Sequence, residues 1–102
     1  SILYQKNIDC DLIVSENSPD HSVTEVLEKY KSDPRFLVIK RTPSMQSLEH
    51  INLVLAQCQR YEYAMLFHDD DLLNEGALAQ IVSELESNSE ASAVSCNAYI
   101  LK

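Results

Sequence analysis

Hydrophobic and polar positions come in short alternating blocks along this chain. Asp11-Leu-Ile-Val-Ser15 is an apolar run rich in β-branched residues that gives way to the polar cluster Glu16-Asn-Ser-Pro-Asp20. That pattern predicts a buried strand running into a loop. Ser22-Val-Thr-Glu25 has the form of a capping box, in which hydroxyl and carboxylate satisfy each other's backbone donors, and it predicts a helix from about Val23 to Lys31 with Val23, Val26, Leu27 and Tyr30 on one face. Phe36 to Lys40 is a second strand candidate. Thr42-Pro43 offers an N-cap with proline in the first helical turn, and Leu48, Ile51, Leu55 and Cys58 follow at helical spacing.

The second half repeats the alternation. Tyr63-Ala-Met-Leu-Phe67 is a third apolar run that ends in His68-Asp-Asp-Asp71. After Asn74, another N-cap candidate, Leu78, Ile81, Val82 and Leu85 give an amphipathic helix to about Asn88, and a last strand is predicted between Ala91 and Leu101. Strands alternating with helices imply crossover connections, because a strand returns parallel only by way of a long excursion. The expected class is α/β, a mostly parallel sheet flanked by helices. In such sheets the carboxyl ends of the strands share an edge, so the loops at Glu16 to Asp20 and at His68 to Asp71 are expected to open on one rim.

Composition narrows the functions. A chain of 102 residues with 45% hydrophobic content is sized for one domain with one core. Sixteen acids against eight Lys and Arg give a net charge of −8, which opposes nucleic acid and anionic membrane surfaces as partners. Cys10, Cys58 and Cys96 are odd in number and far apart, with no CxxC, so neither a disulfide framework nor a zinc site is indicated and a cytoplasmic setting fits. No apolar run approaches the roughly 20 residues of a membrane span, which leaves membrane attachment to a longer parent protein.

Three successive aspartates at a strand end repel one another by about 1 kcal/mol per close pair even in water-like screening. They act as a solvated loop favouring the next helix N-terminus, or they hold a divalent cation. Mg²⁺ or Mn²⁺ suits such a site, being held by one or two carboxylates together with the phosphates of a substrate.

The order of these blocks resembles the family 2 glycosyltransferases, which have the GT-A fold. Leu12-Ile-Val-Ser-Glu-Asn-Ser-Pro-Asp20 is similar to the family's nucleotide-binding loop, and Phe67-His-Asp-Asp-Asp-Leu-Leu-Asn-Glu-Gly-Ala-Leu78 to its metal-binding loop with the following helix. Glu49-His-Ile-Asn52 falls where the family often has Ala-Arg-Asn, and Ser1-Ile-Leu-Tyr-Gln5 is similar to the end of its first helix. The resemblance implies that Glu16 contacts the base or ribose of a nucleotide, with Ser15 as the alternative register. It implies that His68 and Asp69 lie against the nucleotide, His68 replacing the first Asp of the family motif, and that Asp70 is the metal ligand with Asp71 in support. His68 departs from the pattern, since imidazole accepts one hydrogen bond where a carboxylate accepts several.

The implied activity is metal-dependent, inverting transfer of a sugar from a nucleotide-diphospho-sugar donor to a saccharide or lipid-linked acceptor. The family's first strand would precede Ser1. Its acceptor-binding half, with the general base, would follow Lys102. The fragment is accordingly expected to be inactive alone and to dimerise through unpaired strand edges. Two rivals stand beside this reading: a non-catalytic interaction module that keeps the fold, and a Mg²⁺-binding receiver domain, whose acids sit after an earlier strand than they do here. Lys40 and Arg41 are either diphosphate contacts or a solvated pair, and Asp20 either a nucleotide contact or a helix-start residue. His21 and His50 have no paired ligand spacing and are expected to be structural, as are Tyr61 and Tyr63.

Overall fold

The computed structural model describes residues 1 to 20 and 22 to 100. His21 and Leu101, the latter the expected end of the last strand, lie outside the described residues. The chain is α/β. Its elements are β1 (Leu12–Glu16), α1 (Thr24–Glu28), β2 (Phe36–Lys40), α2 (Ser47–Gln57) and α3 (Ala77–Ser87). They fall into two compact units: Cys10–His68 carries β1 to α2, and Ser1–Asp9 together with the residues from Asp69 onward carries α3.

In the larger unit β1 and β2 pair in parallel, in register from Leu12 opposite Phe36 to Glu16 opposite Lys40. The ladder is extended at one end by the Leu12 N–H on the Arg35 carbonyl at 2.8 Å and at the other by the Arg41 N–H on the Glu16 carbonyl at 2.9 Å. Both β-rich runs therefore became strands, and the crossover between them holds α1, as a parallel return requires. Just before β2, the Arg35 guanidinium meets Asp33 through two parallel bonds of 3.0 and 2.8 Å and, with the Arg35 backbone N–H, holds the Asp33 carboxyl below the usual carboxylate range.

Several expected elements differ. α1 spans five residues where about nine were expected, and its continuation to Asp33 is a series of tight i to i+3 turns. The capping box does not form: Val23 is the N-cap, and the Ser22 N–H is taken by the Asp20 carboxylate at 3.1 Å. That local bond competes directly with the cap. Thr42-Pro43 does not start α2, because Met45 is held outside the helix by the side chain of Asn17 and the helix begins at Ser47 after an extended Gln46.

Tyr63 to Phe67 is not a strand, and among the described residues none forms between Ala91 and Ile100. Among the described residues the sheet has two strands, in the order β1-β2. An apolar run becomes a strand only beside a neighbour that takes its backbone bonds. Met65 and Leu66 are instead 45% and 46% exposed. The single apolar core is also absent: among the described residues no hydrophobic side chain is buried, and the two buried residues are Gln5 and Glu16, both polar. Tyr61 likewise makes polar contacts, its hydroxyl donating to Asp11 and accepting from Arg60.

In the smaller unit Gln5 explains its own burial. Its Nε2 donates to the Asn74 carbonyl at 2.8 Å and its Oε1 accepts the Leu78 N–H at 3.3 Å, so a residue far away in sequence satisfies a donor in the first turn of α3. The expected cap, Asn74, contributes its backbone carbonyl to this arrangement instead. Gly76 is the N-cap, with φ of 79°, a left-handed conformation that glycine adopts without penalty.

Candidate functional site

The residues read as a nucleotide-binding loop sit at the carboxyl end of β1. Glu16, the last strand residue, is 4% exposed. Its Oε1 accepts the Ser18 N–H at 3.0 Å and also the Ser18 hydroxyl. A carboxylate held in this way loses rotamer freedom, and the Ser18 donors stand in for the water that burial removes. Asn17 faces the other way. Its Nδ2 donates to the Met45 carbonyl at 2.9 Å and its Oδ1 accepts the Met45 N–H at 2.8 Å, a two-point clamp that fastens the loop after β1 to the loop after β2.

Ser15 is the centre of a second polar group. Its Oγ accepts from Arg41 Nε at 2.9 Å and lies 2.7 Å from His50 Nε2. β1, the residue following β2, and α2 thus each send one side chain to a single point. Sequence spacing gave no sign of this for His50, which looked structural: the three residues are brought together by the parallel register and by where α2 packs. Lys40, whose alternatives were a diphosphate contact or a solvated position, is exposed and donates from Nζ to Thr24 Oγ1 at 3.2 Å. Asp20 is exposed, and the Ser22 backbone N–H holds its carboxyl below the usual range, a loop-ordering role.

His68 closes the larger unit, while Asp69, Asp70 and Asp71 open the second segment of the smaller one. All four are exposed, and Asp69 and Asp70 form a turn. Among the described residues no three His, Cys, Asp or Glu side chains converge as a metal-ligating group. The donor chemistry still suits Mg²⁺ or Mn²⁺, which take hard oxygen ligands and are commonly held by one or two carboxylates, with substrate phosphates and water supplying the rest.

No family model, curated protein or solved structure matches the chain. Among the described residues, no helix is long and apolar enough to cross a membrane.

Proposed function

We propose that this chain is the nucleotide- and metal-binding part of a glycosyltransferase that resembles family 2, acting on a nucleotide-diphospho-sugar donor. The observation that carries the reading is Glu16: a carboxylate at the carboxyl end of a parallel strand, 4% exposed and oriented by the Ser18 N–H and hydroxyl. In open α/β sheets ligands bind outside the carboxyl ends of the strands, and the acid-Asn-Ser loop that resembles the family's nucleotide-binding loop follows β1 at that end. Glu16 holds the nucleoside, with His68 and Asp69 against the nucleotide, and Asp70, supported by Asp71, holds Mn²⁺ or Mg²⁺. When bound, the cation neutralises charge developing on the departing diphosphate. The chain's own residues bind and orient the donor, and the GT-A resemblance assigns the general base to the acceptor-binding half.

The rivals predict different binding. A non-catalytic module takes up no nucleotide, and a receiver domain accepts a phosphoryl group from acetyl phosphate. Calorimetric titration with a panel of nucleoside diphosphates, with and without Mn²⁺, is expected to show saturable binding to at least one of them that needs the metal. A panel with no metal-dependent heat, or stable labelling by acetyl phosphate, would sink the transferase reading.

A further inference from the structure

Of the three arginines in the larger unit, Arg35 and Arg41 differ in one respect. In Arg35 the edge formed by Nε and Nη2 is filled, each nitrogen donating to one oxygen of the Asp33 carboxylate. In Arg41 Nε donates to the Ser15 hydroxyl at 2.9 Å, but Nη2 is buried and has no hydrogen-bond partner. Among the described residues Arg41 is in no ion pair. The guanidinium fork matches two oxygens of one anion, and a single hydroxyl fills half of it. A buried donor left unpaired is destabilising, the more so on a charged group.

We propose that Arg41, Ser15 and His50 form a receptor for one phosphoryl group. Oxygens of the ligand take the two N–H groups of the Arg41 edge. The Ser15 hydroxyl, released from Arg41, turns to donate, and His50 Nε2, 2.7 Å from that hydroxyl, supplies a further donor when its ring carries the proton there. Donors from three elements suit a tetrahedral group with several accepting oxygens better than a planar carboxylate, which the Arg41 edge alone would satisfy. The backbone that carries the donors is held in place beforehand: the Arg41 N–H is bonded to the Glu16 carbonyl, and Asn17 clamps Met45 four residues further on. Preorganisation of this kind lowers the cost of binding.

Arg41 lines an open cleft of about 520 Å³ with Lys40, Pro43, Met45, Gln46 and Glu49. Two carboxylates oppose an anion here. Glu16 is engaged by Ser18, and Glu49 is exposed on the cleft. Recognition therefore comes from directed donors rather than from the overall field, which is negative. This receptor does not depend on the sugar-transfer reading, because it uses no residue of the acidic cluster and no metal.

The test is a titration of the ¹⁵N-labelled chain with inorganic phosphate and with pyrophosphate in the presence of EDTA, read from amide shifts. Saturable shifts at Ser15, Arg41 and His50 are expected. Arg41→Lys keeps the charge but loses the fork, and should weaken binding about tenfold or more. Ser15→Ala should weaken it severalfold, and Glu49→Gln should tighten it. Absence of saturation at these amides, an Arg41→Lys affinity equal to wild type, or acetate binding as tightly as phosphate would overturn the proposal. Should Arg41→Lys fail to fold, Ser15→Ala and His50→Asn decide the same question. Nucleoside diphosphate binding in EDTA no tighter than pyrophosphate would identify the free anion as the ligand, with the receptor itself upheld.

Discussion

Replacing Asp70 by Ala is expected to weaken Mn²⁺-dependent binding of a nucleoside diphosphate roughly 100-fold, which corresponds to about 2.7 kcal/mol. The size follows from the small number of protein ligands available. With no three metal-ligating side chains converging among the described residues, a cation here relies on one or two carboxylates, and losing the principal one leaves little. Asp70 is exposed, so the substitution removes no buried contact and the thermal midpoint should hardly move. Asp71→Ala, removing the supporting carboxylate, should cost about tenfold or less. Equal affinities for wild type and Asp70→Ala, measured calorimetrically at the same Mn²⁺ concentration, would remove the aspartate from the metal site.

The second large effect concerns stability. Asn17→Ala breaks both bonds to Met45 and leaves a partly buried N–H and carbonyl without that partner, at an expected cost of about 1 to 3 kcal/mol in denaturant unfolding. In this chain such a loss is serious. Among the described residues no hydrophobic side chain is buried, so polar clamps carry a larger share of a stability that in ordinary domains is only about 5 to 15 kcal/mol. Asn17→Asp keeps the acceptor for the Met45 N–H and loses the donor, and should fall between the two. A change within about 0.5 kcal/mol for Asn17→Ala would show that the clamp contributes nothing measurable.

How far the sequence foretold the fold depended on whether the deciding interaction was local. Leu12 to Glu16 and Phe36 to Lys40 were legible because dense β-branched runs bounded by polar residues have few alternatives, and the two pair with each other. The helical spacing of Leu78, Ile81, Val82 and Leu85 likewise located α3. Tyr63 to Phe67 read just as clearly as a strand and is not one, since strand formation needs a partner that no local pattern supplies. The helix starts failed for a related reason. The Asp20 carboxylate took the Ser22 N–H, Asn17 held Met45 outside α2, and Gln5 came from far along the chain to serve α3.

The candidate residues divide in the same way. Glu16 stood out as an acid directly after an apolar run, and its place at the strand end is what that pattern predicts. The convergence of Arg41 and His50 on Ser15 was not legible, because residues separated by 26 and 35 positions meet only through the parallel register and the packing of α2. A cation immediately after the second strand was the one available hint.

The most direct test of the nucleotide and metal assignment is reciprocal linkage. Affinity for a nucleoside diphosphate would be measured with and without Mn²⁺, and affinity for Mn²⁺ with and without the nucleotide. A cation held between Asp70 and the nucleotide phosphates would tighten the binding of each, and linkage makes that factor the same in both directions. The assignment predicts a mutual enhancement of at least about tenfold, lost in both Glu16→Ala and Asp70→Ala. Nucleotide and Mn²⁺ binding with affinities independent of one another, or an enhancement that survives both substitutions, would contradict it.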